Sequence, residues 1–249
     1  MEGYFLTDCG KVRSTNEDAG GVFSHPQDQT LAIVADGMGG HQAGEVASSL
    51  AVELFKKAWE ETGAFTSSKE AESWLFTQIL DVNRAIYEEA EEQKEYQGMG
   101  TTVVVTVVTK DFVTIGHVGD SRCYLWTQPS QLRQMTSDHS LVNELVKTGQ
   151  ISPSDAEVHP RKNVLMKALG TEVEIEPDIQ SIPWTKGDCL LLASDGLTNK
   201  VKKLELEEAL ATMESLEETA KYLIDLANDR GGEDNITLVI VQNKEGDAL

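Results

Sequence analysis

Residues 101–122 read TTVVVTVVTKDFVTIGHVGDSR, and they decide the fold class. Thr101–Thr109 is almost wholly β-branched, and such side chains are stiff in a helix but pack well on a pleated surface. The break at Lys110–Asp111 is short and a second apolar run, Phe112–Val118, follows at once, so an antiparallel hairpin is the simplest connection. On the same pattern Arg122–Trp126 and Gln131–Gln134 extend the hairpin into an antiparallel meander.

On the N-terminal side the pattern is helical. Ala47, Leu50, Ala51, Leu54, Phe55 and Ala58 form one apolar stripe at the spacing of a helix face, and Leu75, Ile79, Val82, Ile86 and Ala90 form another within residues 69–93. Two such helices in succession cover one face of a sheet. Before them come short strand signals at Gly3–Leu6, Gly21–Phe23 and Thr30–Ala35, and DGMGGHQAG (36–44) is too glycine-rich for a regular element. On the C-terminal side, residues 140–169 are mixed, with a short helix at Ser140–Lys147 and little apolar pattern, and are expected to form a small flap subdomain. Strands follow at Ile179–Ile182 and Cys189–Ala193, then helices at Lys203–Ala211 and Leu216–Asp229, stopped by Gly231–Gly232, and a last strand at Ile236–Gln242. Strands and helices come in blocks and not in strict alternation, so the class is α+β with mainly antiparallel sheets. Residues 1–243 form a single domain on this pattern, with 244–249 as a tail.

Bulk properties exclude several functions. The formal net charge is -21, from 42 acidic and 21 basic residues. Nucleic acids and anionic membrane surfaces both require a positive face, so neither is an expected partner. Three cysteines, Cys9, Cys123 and Cys189, with no CxxC pair, argue against a disulfide framework or a zinc site and fit a reducing cytoplasm. No signal peptide is indicated and no apolar run is long enough to insert in a membrane; a cytoplasmic monomer is the expectation.

The chemistry lies in four aspartates. Asp36, Asp120 and Asp195 directly follow apolar runs, and Asp234 lies between a helix and a strand. Strand ends aim side chains in fixed directions, and adjacent glycines allow close approach of backbone or ligand. Convergent carboxylates repel one another unless a cation neutralises them. All-oxygen donors select Mn2+ or Mg2+ over zinc, so an oxygen-only site for several ions is the leading expectation. Arg13, Glu17 and Asp18 share one early turn, and an arginine beside such a site points to a bridging anion, best matched by phosphate.

The motifs RSTNED (13–18), ADGMGGH (35–41), GMGTT (98–102), GHVGDSR (116–122), TSDHS (136–140), HPRKN (159–163), ASDGL (193–197) and GGEDNIT (231–237) occur in the order found in the PPM, or type-2C, metal-dependent serine/threonine protein phosphatases. The chain resembles that family over about residues 3–242, and most closely its stand-alone bacterial members. The resemblance implies an αββα sandwich of two mainly antiparallel sheets flanked by helix pairs. It implies that Asp36 bridges two catalytic ions, with the Gly37 carbonyl on one of them. Asp195 and Asp234 complete the first ion's ligands, and Glu17 and Asp18 serve the second. Asp120 would hold a third ion, sharing Asp195. Arg13 would bind the phosphate and His41 would protonate the leaving alkoxide. The reaction so implied is direct hydrolysis of phosphoserine and phosphothreonine by a hydroxide that bridges the ions, with no covalent intermediate. The partners implied are phosphorylated proteins, a bacterial Ser/Thr kinase among them.

Plainer roles suit other residues. His117 reads as a hydrogen-bonded core residue and His139 as a residue ordering the start of the flap; Arg161 and Asn163 read as links between flap and core. For Thr101 and Thr102, β propensity is explanation enough. Two rival functions remain: another two-metal phosphoesterase such as a nuclease, which the charge opposes, and a catalytically weak phosphate-sensing or scaffolding member of the same fold, in which metal ligands would be missing. No ligand is missing here.

Overall fold

The structure, a computed structural model, describes residues 1–40, 43–129 and 131–244. In chain order the strands and helices begin with β1 (Glu2–Asp8), β2 (Asp18–His25), β3 (Gln29–Met38), α1 (Ala43–Glu61) and α2 (Ser68–Glu92). The middle of the chain supplies β4 (Gly100–Thr101), β5 (Val103–Val108), β6 (Phe112–Val118), β7 (Arg122–Thr127) and β8 (Gln131–Gln134). Then follow α3 (Leu141–Lys147), α4 (Pro153–Glu157), β9 (Asp178–Pro183), β10 (Cys189–Ala193), α5 (Asp195–Thr198), α6 (Lys203–Ala211), α7 (Leu216–Asp229) and β11 (Ile236–Gln242).

Two antiparallel sheets face each other. One has the order β1-β11-β10-β7-β8, the other β2-β3-β5-β6-β9 with β4 beside the end of β3. The period of two explains how one strand serves two cores. Val103, Val105 and Val107 point outward to α1 and α2, where they meet Phe55, Leu75 and Ile79. Val104 and Val108 point inward, against Leu125, Leu190, Leu192 and Val239 of the other sheet. In β10, Leu191 and Ala193 turn the other way, onto Leu206, Leu223 and Ile224 of α6 and α7. The strand runs lack polar alternation because both faces are covered. These layers make the αββα sandwich. α2 and α7 start where serines cap them: Ser67 accepts from Glu70 N and Ser215 from Glu218 N.

The hairpin at Lys110–Asp111 is present, with Val103 opposite Val118 and Val108 opposite Val113. The meander is not. β6 pairs with β5 and β9, whereas β7 pairs with β10 and β8 in the opposite sheet. The chain changes sheets at Gly119–Ser121. Gly119 has φ +109°, and a Cβ there would lie 2.6 Å from Thr102 Cβ, so only glycine makes this step without strain. Apolar pattern alone does not say which sheet the next strand joins. A second correction concerns 36–38, which continue β3 by pairing Gly37 with Thr101 and Met38 with Gly100. Glycine does not prevent a strand when a partner strand supplies the hydrogen bonds.

Residues 140–169 leave the sandwich after β8 and carry α3 and α4. Backbone bonds close the segment at its base: Leu141 N to Val164 O (2.9 Å), Met166 N to His139 O (2.8 Å), and Thr101 with Leu169 in both directions (3.1 and 2.8 Å). Its buried hydrophobics are only Val142, Ala168 and Leu169 among the described residues.

Candidate active site

The acidic residues gather at one end of the sandwich because the register of both sheets puts them there. Asp18 and Asp36 are directly opposite across β2 and β3. In the other sheet Ala193, just before Ser194 and Asp195, faces Arg122, just after Asp120. Asp234 precedes β11, whose first residue Ile236 faces Asp8. Asp18 is buried, while Asp36, Asp120 and Asp195 are half-buried on the floor of an open basin.

The backbone around Asp36 is fixed by two threonines. Its N–H donates to Thr102 Oγ1 (3.0 Å), and its carbonyl accepts from Thr102 N (2.9 Å) and Thr101 Oγ1 (3.0 Å). Thr102 Oγ1 also meets Ser121 Oγ at 2.8 Å, which ties Asp36 to the crossover that carries Asp120. These threonines therefore hold the site as well as favouring a strand. Gly37 is wedged between segments. Its N–H donates to Glu17 O (3.1 Å), and a Cβ on it would lie 2.1 Å from Gly44 O and 2.5 Å from Glu17 O.

Two further residues, adjacent to expected ligands, do comparable work. Ser194 Oγ donates to Asp18 Oδ2 (2.8 Å) and itself accepts from Thr237 N (3.0 Å). Asn235 is buried and spans the turn of Arg13: Oδ1 accepts from Glu17 N (2.8 Å), and Nδ2 donates to Cys9 O and Thr15 O (both 2.9 Å). Their signal in the sequence is position: a hydroxyl just before Asp195 and an amide, both donor and acceptor, just after Asp234.

The electrostatics are those of an uncompensated cluster. Burial pushes Asp18 up to about 7, against the hydrogen bonds from Ser194 and Thr237, and Asp195 and Asp234 add to the rise. Asp36 is raised well above its ordinary value, first by burial and then by Asp18, Asp195, Asp120 and Asp234. Burial also pushes Asp120 up to about 7, with Asp195 and Asp138 adding and Arg122 opposing. Asp195 and Glu17 are raised by burial too; Asp234 adds to both, and Arg13 opposes both. Holding these groups ionised together at neutral pH costs free energy. Cations in the basin would recover that cost. No three of the acids bring one oxygen each within 4.8 Å of the others among the described residues, so Asp36, Asp195 and Asp234 would have to draw together around an ion that they share. Its donors are all oxygen, as Mn2+ and Mg2+ prefer.

Arg13 stands at the rim with its side chain 47% exposed. Nη2 lies 3.0 Å from Asp234 and Nη1 4.0 Å from Glu17. The structure thus brings together Arg13, Glu17, Asp18, Asp36, Gly37, Asp120, Asp195 and Asp234. His41 lies outside the described residues. His139 is a tie between flap and crossover: its N–H donates to Gly119 O (2.9 Å) and its Nδ1 accepts from Gly119 N (3.1 Å). It stacks on His117, whose Nε2 is 3.2 Å from Ser137 O, and lies 3.4 Å from Asp178. The near-parallel rings are 4.7 Å apart, and with Asp178 they bring one ligand atom each within 4.8 Å of one another. Arg161 is exposed.

Comparison with known proteins agrees with this geometry. The family model for protein phosphatase 2C matches residues 8–234. The serine/threonine phosphatase stp of Listeria welshimeri is 50% identical over 242 residues, covering 97% of this chain and 96% of its own length. The crystal structure of the serine/threonine phosphatase Stp1 from Staphylococcus aureus matches with TM-score 0.92 and 42% identity, covering 98% of this chain and 95% of that one. The catalytic domain of the serine/threonine protein phosphatase PstP, solved in complex with two manganese ions, matches with TM-score 0.85 and 33% identity over 98% of both chains.

Proposed function

The chain belongs to the protein phosphatase 2C family, and on that premise we propose that it hydrolyses phosphoserine and phosphothreonine in proteins with Mn2+ or Mg2+ as cofactor. The observation that carries this reading is the basin in which burial, and after it neighbouring carboxylates, raise the proton affinity of Asp18, Asp36, Asp120 and Asp195. Asp36, Asp195 and Asp234 would hold one ion, and the Gly37 carbonyl would serve one of the two ions that Asp36 bridges. Asp36 with Glu17 and Asp18 would hold the second, and Asp120 with Asp195 a third. When bound, the ions polarise the phosphoryl oxygens and lower the pKa of water toward neutrality.

The chain's own residues do the rest. Thr101 and Thr102 hold the Asp36 backbone, which fixes the point from which its carboxylate projects. Asn235 sets the turn from which Arg13 reaches the rim, and the guanidinium there binds the phosphate oxygens of the substrate. His41 donates a proton to the departing serine or threonine oxygen, a role worth on the order of 10²–10⁴-fold. Residues 1–243 act as one phosphatase domain. The substrates are phosphoproteins, among them a bacterial Ser/Thr kinase that the enzyme opposes. The protein works as a monomer in the cytoplasm; no helix among the described residues is long and apolar enough to cross a membrane.

The test is hydrolysis of p-nitrophenyl phosphate and of a phosphothreonine peptide with Mn2+, with EDTA, and by Asp36→Asn. Turnover with Mn2+ that is lost in the other two conditions is expected; activity surviving EDTA or the substitution overturns the assignment. His41→Ala should slow an alkyl phosphate more than an aryl one, because the aryl leaving group needs no proton. Equal losses would remove His41 from that role.

A further inference from the structure

A groove of about 730 Å³ runs outward from the basin, with Asp120 and Asp195 at its inner end. One wall is the flap, through α3, α4 and the turn that follows; the other is α5 and the start of α6. The charges lining its outer part are unlike those of the molecule. The chain has 42 acidic and 21 basic residues, yet apart from Asp120 and Asp195 the acid lining the groove is Asp138. Asp138 is already engaged, with Arg122 Nε and Nη2 donating to it at 2.6–3.1 Å. That leaves Lys162 on the flap wall and Lys202 and Lys203 on the α6 wall, all exposed and none within 4.0 Å of a carboxylate among the described residues. The lining is otherwise mixed, with amides at Asn143, Asn163 and Asn199 and apolar side chains that include Val146 on the flap wall and Leu204, 72% exposed, on the other.

We propose that this groove binds the polypeptide flanking the phosphorylated residue and selects acidic side chains there, with Lys162 and Lys203 as the specificity-determining residues on its two walls. The assignment rests on the phosphatase reading and adds the substrate class. A phosphoresidue seated at Arg13 and the basin must bring its neighbours past Asp120 and Asp195 into the groove if its chain runs that way. Acidic neighbours then leave the repulsive basin and meet unpaired ammonium groups, while basic neighbours would meet those groups as like charges. Leu204 offers an apolar contact to a side chain that lies beside it. Solvent-exposed pairs of this kind contribute modestly each, and several together set preference and encounter rate.

Three phosphothreonine peptides of equal length, flanked by Glu, Ala or Lys, test this with Mn2+ present, beside p-nitrophenyl phosphate, which does not reach the groove. The wild type should turn over the Glu-flanked peptide with kcat/KM roughly tenfold above the Ala-flanked one at low salt, the gap narrowing as salt screens it. The double substitution Lys162→Glu with Lys203→Glu should remove the preference through KM and favour the Lys-flanked peptide, while p-nitrophenyl phosphate turnover stays within about twofold. That gain on one substrate excludes misfolding as the cause. Equal turnover of the three peptides by the wild type overturns the proposal, as does an equal loss on every substrate in the variant. Loss of all hydrolysis in the wild type would sink the phosphatase reading instead; anisotropy of the labelled peptides with wild type and variant then decides the groove on binding alone, with the same order expected.

Discussion

The basin and the flap stand a few residues apart, and they are held in opposite ways. In the basin, Ser194 bonds the Asp18 carboxylate and Thr101, Thr102 and Asn235 bond the backbone of Asp36 and Glu17, backed by strands buried on both faces. The flap carries little core, with Val142, Ala168 and Leu169 as its buried hydrophobics, and is tied at its base by backbone bonds and His139. Order is concentrated where charge must be held against its own repulsion. Where a chain must pass in and out, few buried contacts keep the cost of opening low.

The sharpest way to break this contrast is Asp36→Asn. Activity should fall by on the order of 10³-fold or more, because the carboxylate proposed to be shared by two ions is lost. Without divalent cations the variant should be as stable as the wild type or more so, since a repelling charge is removed. A cation-free variant that melts well below the wild type would show that the basin is not strained.

Next in size is Asn235→Ala, which unmakes three hydrogen bonds of a buried side chain and frees the turn carrying Arg13 and Glu17. A stability loss of roughly 2–4 kcal/mol in urea unfolding is expected, together with a raised KM for phosphopeptide. A loss confined to activity would mean that the turn is held by other contacts.

Thr102→Val keeps the shape and removes the hydroxyl that Asp36 N and Ser121 share. About 1–2 kcal/mol should be lost, and activity should fall more than in a core Val-to-Ala control of equal stability. Equal activity in the two would reduce Thr102 to a strand former.

The smallest effect belongs to the flap. Burial holds His139 below the ordinary histidine range, with His117 and Lys167 acting the same way and Asp178 against them. His117 is also lowered by burial and Lys147, against Ser137, Asp178 and Asp138. Below a pH of about 6.5 the unfolded chain takes up protons that the folded chain refuses, so both groups cost stability as pH falls. The stability difference between wild type and His139→Gln should therefore shrink from pH 8 to pH 5, by about 1 kcal/mol or less. A difference that is flat with pH would mean that His139 titrates alike in both states. Amide hydrogen exchange should also be faster in α3 and α4 than in β3 and β10, and similar protection would erase the contrast from the other side.

Much of this was legible before the fold was known. The hairpin at Lys110–Asp111 and the helices over α1, α2, α6 and α7 follow from local pattern and caps, because burial on a helix or strand face leaves its period in the sequence. The ligand candidates were legible through punctuation, as aspartates at the ends of apolar runs. Ser194 and Asn235 were not, since a hydroxyl or an amide beside an aspartate looks like an ordinary turn until its partners, 176 and 218 residues away in sequence, are in place. The sheet that β7 joins is hidden for a similar reason: the pattern of β6 and β7 is the same whichever partners they take.

By itself, then, the sequence determined the α+β class, a net charge of -21 that opposes nucleic-acid partners, and a set of oxygen-bearing candidate ligands, because composition and period carry that information locally. Only the tertiary structure decided that the step at Gly119 carries the chain from one sheet to the other, which places Asp120 beside Asp195 and opens the groove toward Lys162 and Lys203. Register and sheet membership depend on contacts between residues far apart in the chain, and no short stretch of sequence encodes them.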